Sequence, residues 1–81
     1  MKGTIVYCNH RALRYVVQLE DGAYSAFDLM DAIELTVGQI ITGDLDTGGR
    51  EDFTTEDGEA FSVSVEIPAG SRVSALAYAN A

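Results

Sequence analysis

The sequence predicts a small all-β domain, an antiparallel barrel of five main strands. Apolar residues recur at every second position in several short runs, which is the period of a half-buried strand. Asp-Gly and Gly-rich turns separate these runs, and no apolar pattern is long enough for an independent helix. Closure into a barrel would remove most of the exposed sheet edges that otherwise invite aggregation.

The chain is organised around a first β-hairpin. Residues 2–7 are the predicted first strand, residues 9–11 the turn and residues 13–19 the second strand. Alternation in the second strand predicts one set of side chains facing the core and one facing solvent. The core set is Leu13, Tyr15, Val17 and Leu19, and the solvent set is Arg14, Val16, Gln18 and Glu20. Residues 24–29 follow an Asp-Gly turn and form the predicted third strand.

The middle of the chain predicts a connector and the remaining strands. Asp31 and Glu34 have the spacing of a weak capping box, which predicts one short helical turn between strands 3 and 4. The fourth strand is predicted at residues 39–45, and residues 53–55 are a candidate for a further short strand. Residues 61–67 show the cleanest alternation in the chain and define the last core strand.

A proline-containing segment, residues 68–70, ends the last strand and marks a boundary. The sequence therefore predicts a barrel domain at residues 1–67 and a C-terminal tail at residues 68–81. This tail could fray, as termini commonly do, or pack as a short helix or an extra strand. We expect it to be partly ordered, because Val73 and Leu76 lie at helical spacing.

The charge of the chain is divided unevenly. The formal net charge of the 81 residues is −8. Residues 1–18 hold three basic residues and no acid, giving +3, whereas residues 19–81 hold 13 acids against two arginines, giving −11. An acidic surface keeps a small domain soluble and repels polyphosphates at long range, but a local basic patch still acts within about 8–10 Å.

The sequence predicts a cytoplasmic location. It contains no apolar run of about 18 residues that would span a membrane, and no secretory signal follows Met1-Lys2. The single cysteine cannot form an internal disulfide, so the fold needs no oxidising compartment.

Three short motifs resemble the cold-shock domain. Lys2-Gly3-Thr4-Ile5, followed by Tyr7 and Asn9, is similar to the opening of that family. Asp21-Gly22 and residues 25–29 fall where the family has its third strand, and residues 35–41 are similar to its Leu-x-x-Gly-Gln-x-Val motif. The resemblance covers about residues 2–67. It implies an OB fold, a five-stranded barrel that binds single-stranded nucleic acid.

The chain departs from that family at the positions that stack on bases. In the second strand the two aromatic positions hold Arg14 and Val16, and in the third the histidine position holds Asp28 and the last Phe is Leu29. Tyr7, at the family's Trp position, is the one aromatic retained. Each stacked base contributes about 1–3 kcal/mol, so these losses remove several kcal/mol of the affinity that the resemblance implies.

Two functions follow, both without catalysis. The first is weak single-stranded RNA or DNA binding through the first hairpin, because cations and one aromatic side chain are concentrated there. The residues predicted to bind are Lys2, Tyr7, His10, Arg11 and Arg14. The alternative is an acidic protein–protein interaction or accessory module with no nucleic-acid binding.

No cofactor, metal ion or enzymatic reaction is expected. Cys8 and His10 are the only cysteine and histidine, whereas a metal site needs three or four ligands. The acidic stretch 44–51 lacks the closing Glu of a Ca²⁺ loop, and no Gly-Lys-Ser or Gly-Lys-Thr follows its glycines.

Two features of the sequence place Tyr7 on opposite faces of the first strand. Strand parity places Tyr7 with Ile5 on the core side, whereas the resemblance places it outside. A bulge in the first strand would reconcile the two, because one extra residue reverses the side on which the later residues lie. We predict that Tyr7 is at least partly exposed.

Overall fold

Six antiparallel strands close into one barrel, and a single helix packs on its outer surface. The structure is a computed structural model that describes all 81 residues. The elements, in chain order, are β1 (Lys2–Asn9), β2 (Arg14–Leu19), β3 (Tyr24–Leu29), β4 (Ile40–Thr42), β5 (Gly49–Thr55), β6 (Ala60–Gly70) and α1 (Arg72–Ala79).

The barrel consists of two three-stranded meanders joined at both edges. Around the barrel the strands follow the order β1-β2-β3-β6-β5-β4, and β4 pairs with β1. The all-β antiparallel barrel is confirmed, but the predicted count of five strands is wrong. The predicted fourth strand ends at Thr42, and the polar residues 49–52 pair with β6 and extend the short stretch 53–55 into a full strand. A polar strand segment has no apolar alternation, so residues 49–52 could not be recognised as a strand from the sequence.

The predicted helical turn between strands 3 and 4 is also absent, since residues 30–39 form bends and a turn. The Asp31 carboxylate accepts a hydrogen bond from the Ser62 amide at 2.7 Å, so it ties the connector to β6 instead of capping a helix. Leu35 is fully buried and Ile33 packs against the core, which fixes the path of this segment.

A column of four aromatic rings fills the barrel. Tyr15 stacks on Phe27 with ring centroids 5.6 Å apart, and Phe27, Phe53 and Phe61 follow edge to face at 5.5 and 6.0 Å. Tyr15, Val17 and Leu19 are buried in the core as the alternation predicts. The core assignment of Leu13 is wrong, because it lies in the turn before β2, 46% exposed, with φ of 57°.

A bulge in β1 decides which way Tyr7 points. The register shifts between Ile5, which pairs with Val17, and Tyr7, which pairs with Val16. This shift places Tyr7 beside Val16 on the outer face, and Cys8 returns to the core side opposite Tyr15. The bulge and the partial exposure of Tyr7 are both confirmed.

A second, smaller apolar cluster lies between α1 and the outer face of the barrel. Its buried members are Val16, Ala26, Ala75 and Ala79. Val16 was expected to face solvent; it does lie on the outer side of β2, but α1 covers it completely. Residues 68–70 complete β6, and α1 begins after Ser71, whose hydroxyl accepts a hydrogen bond from the Ser74 amide at 3.0 Å. The helical spacing of Val73 and Leu76 is thus realised in α1.

Replacing Ala69 with glycine should stabilise the fold. Ala69 is exposed and has φ of 45°, a left-handed conformation that costs a residue with a Cβ about 1–2 kcal/mol. Glycine removes that strain. It also loses more conformational entropy than alanine on folding, which costs about 0.5–1 kcal/mol, so the net gain in stability is about 0.5–1 kcal/mol. Urea denaturation measures the change. Ala32→Gly, at an exposed position without a positive φ, should destabilise the fold instead. An equal loss of stability in both variants would contradict the backbone strain at Ala69.

Candidate functional site

The structure separates most of the residues predicted to bind nucleic acid. Lys2 opens β1, whereas His10 and Arg11 lie in the turn beyond its other end. The strand between them spans roughly 23 Å at about 3.3 Å per residue. Only Tyr7 and Arg14 share a region of the outer face, because Tyr7 pairs with Val16 and Arg14 pairs with Asn9. The five residues therefore do not form one continuous basic surface.

Arg14 is engaged within the chain. Its Nε lies 3.5 Å from Asp28 Oδ1, the one ion pair in the structure. Its Nη1 donates to the carbonyl oxygens of Tyr78 at 3.3 Å and Ala81 at 2.9 Å, and the guanidinium carbon lies 4.6 Å from the Tyr78 ring centroid. An arginine with these partners has few donors left for a phosphate or a base.

The hairpin instead binds the end of α1. Asn9 Nδ2 donates to the Ala79 carbonyl at 2.7 Å, and the Tyr7 hydroxyl donates to Asn80 Oδ1. The last carbonyls of a helix lack partners within the helix and carry partial negative charge, which amide and guanidinium donors satisfy. The outer-face residues Tyr7, Asn9, Arg14 and Asp28, called here the helix clamp, thus hold the C-terminal end of α1.

Tyr78 completes this arrangement from the helix side. Its hydroxyl donates to Asp28 Oδ1 at 2.8 Å, so the Asp28 carboxylate accepts a hydrogen bond from Tyr78 and forms an ion pair with Arg14. Burial raises the pKa of Tyr78 to about 12, and the hydrogen bond to the Asp28 carboxylate acts in the same direction. A negative phenolate beside a carboxylate would lose the bond and repel its partner.

Alkaline titration should therefore release α1. The folded state holds the pKa of Tyr78 above its ordinary value of 10, so the stabilisation is fully present below pH 10 and is lost as the pH rises towards 12. We expect the urea midpoint of the wild type to fall across this range. Tyr78→Phe is the control, because it keeps the ring without a titrating hydroxyl and should show a shallower decline. Identical pH profiles would exclude Tyr78 as the responsible group.

Cys8 and His10 both contact other residues of the barrel. The Cys8 thiol donates to the Leu35 carbonyl at 3.7 Å, and burial raises the pKa of Cys8, which disfavours the nucleophilic thiolate. His10 Nδ1 lies 3.3 Å from the Tyr15 hydroxyl, at the edge of that ring. No group of three or more His, Cys, Asp or Glu side chains is placed to hold a metal ion.

The net charge is confined to the two ends of the barrel. The first rim, residues 10–13, 30–39 and 56–59, carries five acids against Arg11, which gives −4. The second rim, residues 20–23, 43–48 and 68–71, carries four acids and no Lys or Arg, which also gives −4. The remaining residues carry four basic and four acidic side chains, so the barrel wall with α1 is neutral.

An open groove on the wall is the largest concavity. It has a volume of about 470 Å³ and is lined by Arg50, Glu51, Asp52 and Ser62, with no hydrophobic side chain. The pockets that bind small organic ligands are lined mainly by apolar and aromatic groups. This groove therefore lacks the surface that such a ligand requires.

Neither a family model, nor a curated protein, nor a solved structure matches this chain. The only helix, α1, has eight residues, and none in the structure is long and apolar enough to cross a membrane.

Proposed function

We propose that the chain is a non-catalytic binding module whose acidic rims engage a basic protein partner. The observation that carries this proposal is the placement of all the net charge at the two rims, −4 at each. Complementary charge speeds encounter and selects the partner more than it adds affinity. A rim that presents carboxylates around a rigid barrel is suited to that role.

The carboxylates at the first rim are available to a partner. Glu56, Asp57 and Glu59 are exposed in the tight β5–β6 turn. Two hydrogen bonds hold the turn: the Gly58 amide donates to the Thr55 carbonyl at 3.0 Å, and the Glu59 amide donates to the Thr55 hydroxyl at 3.2 Å. Because the donors are backbone amides, the three side-chain carboxylates remain free. The turn is already ordered, so binding there would lose little conformational entropy.

Rim-specific charge reversal tests the proposal. The tagged full-length chain is used to capture partners from a nuclease-treated lysate of the source organism, and each captured protein is then titrated in purified form. We expect binding to weaken with salt and to fall at least tenfold in one of two matched variants, Glu56→Lys/Asp57→Lys at the first rim or Asp44→Lys/Asp46→Lys at the second. Both variants change the net charge equally. A partner retained by both variants, or no protein partner at all, would contradict the proposal.

Weak single-stranded nucleic-acid binding is the second candidate, through Lys2, Tyr7, His10, Arg11 and Arg14. The observation in its favour is that Tyr7 and Arg14 share one region of the outer face. Against it stand the acidic rims and the contacts of Arg14 within the chain. Titration of labelled oligonucleotides at low salt decides: binding tighter than about 100 µM that weakens with salt supports it, and no binding at that concentration removes it.

A further inference from the structure

The polar contacts of α1 with the barrel are concentrated at one end of the helix. Near its C-terminus the helix clamp supplies hydrogen bonds to Tyr78, Ala79, Asn80 and Ala81. At its N-terminal end Val73 is 78% exposed, and the polar contacts of Ser71 and Ser74 lie within the helix. An eight-residue helix is only marginally stable by itself in water, so α1 depends on the face on which it docks.

The end of β6, just before α1, contains a strained hinge at Pro68 and Ala69. These two residues lie opposite Ser25 alone, where the register between β3 and β6 shifts, and Ala69 has φ of 45°. The Ala69 amide donates a hydrogen bond to Ser25 Oγ at 2.9 Å, which holds the hinge in the docked arrangement. The direction in which the chain leaves β6 therefore depends on a conformation that residues with a Cβ avoid. An extended hinge would release this strain and carry α1 away from its own barrel.

We propose that α1 is an exchangeable helix, and that the face under it binds the α1 of a second copy of this chain to form a domain-swapped dimer. The docking contacts join α1 to β1, β2, β3 and β6, and a helix from another chain could make the same contacts. Exchange reproduces the same contacts in the dimer, so it is a low-cost route to association. This inference is independent of the proposed acidic interface.

The second copy is the occupant that this face fits in detail. The buried Ala75 and Ala79, one helical turn apart, let α1 approach Val16 and Ala26 closely. The helix clamp then matches particular groups at the end of α1. The Tyr78 hydroxyl donates to Asp28, and the Asn80 amide oxygen accepts from the Tyr7 hydroxyl. The carbonyl oxygens of Ala79 and Ala81 accept from Asn9 and Arg14, respectively. Another helix would need small residues and these polar groups at the same positions.

Two substitutions at the hinge test the exchange with opposite expected results. Ala69→Pro fixes φ near −65° and removes the amide that donates to Ser25 Oγ, so the hinge cannot adopt its left-handed turn and α1 is directed outwards. Ala69→Gly accepts the positive φ without strain and favours docking within the chain. By sedimentation equilibrium we expect the Pro variant to dimerise at least tenfold more tightly than the Gly variant. Adding Ala75→Glu to the Pro variant, which places a charge in the docking surface, should restore the monomer.

The wild-type chain provides a test that does not depend on a variant folding. Two isotopically distinguishable preparations are refolded together at about 1 mM, on the order of the effective concentration that a short tether gives an attached segment. Mixed dimers detected by native mass spectrometry, absent when Ala75→Glu is refolded in the same way, support exchange. A Pro variant that folds but stays monomeric, a dimer that persists with Ala75→Glu, or a wild type that forms no mixed dimer would overturn it.

Discussion

Tyr15→Ala should remove a large share of the stability of the domain. Tyr15 is 1% exposed and stacks on Phe27 at the end of the aromatic column. Truncating a buried aromatic to alanine costs about 3–5 kcal/mol, through lost burial and the cavity left behind. A domain of this size has roughly 4–12 kcal/mol of stability in total, at about 0.05–0.15 kcal/mol per residue. Thermal melts followed by circular dichroism measure the loss.

Tyr7→Ala is the matched control on the other side of the sheet. Tyr7 is half-buried outside the barrel, where it packs against the α1 cluster and bonds to Asn80. Its loss should loosen α1 and cost under about 1.5 kcal/mol, since no core cavity is formed. A melting temperature lowered as far as in Tyr15→Ala would show that the outer cluster contributes as much to stability as the core does.

Gly43→Ala, which adds a single methyl group, should destabilise the barrel by about 1–3 kcal/mol. A Cβ at position 43 would overlap the Phe53 ring and lie 3.2 Å from the Asp52 carbonyl oxygen. Phe53 is fully buried between Phe27 and Phe61, so the ring cannot move aside without displacing its neighbours. The urea midpoint of the variant should fall accordingly.

Gly48→Ala, in the same β4–β5 connection, separates overpacking from a general effect of losing glycine. A Cβ at position 48 would meet Pro68 Cγ at 3.7 Å and the Val65 carbonyl oxygen at 3.8 Å, which are ordinary contact distances. The variant should be neutral or slightly stabilised, because alanine lowers the entropy of the unfolded chain. Equal destabilisation at both positions would mean that the connection needs flexible backbone and that close approach to Phe53 is not the cause.

The parts of the fold that the sequence predicted are those encoded by local alternation. The hairpin β1–β2, strand β3 and the core side of Tyr15 follow from a period of two, which depends only on neighbouring residues. The first half of β5 could not be predicted, because its residues are polar and owe their strand conformation to pairing with β6. Gly43 suggested a bend, but its close approach to Phe53 is a tertiary contact that no local pattern reports.

The candidate site was predicted only in part for a similar reason. Alternation correctly placed Arg14 on the outer face, and the cold-shock resemblance pointed to the exposure of Tyr7. What covers that face is more than 60 residues away in the chain. Ala75, Tyr78 and Ala79 had the spacing to pack on a surface, but a short alanine-rich helix does not specify which surface it meets.

The docking of α1 against β1 also sets a time order for folding during synthesis. Tyr7 and Asn80 are 73 residues apart, so the outer face of the first hairpin cannot be covered until Asn80 has left the ribosome. Residues 71–81 take about 0.5–2 s to synthesise at about 5–20 residues per second. Until α1 can dock, Val16 and Ala26 have no helix to cover them, and neighbouring nascent chains on one polysome have their first opportunity to associate.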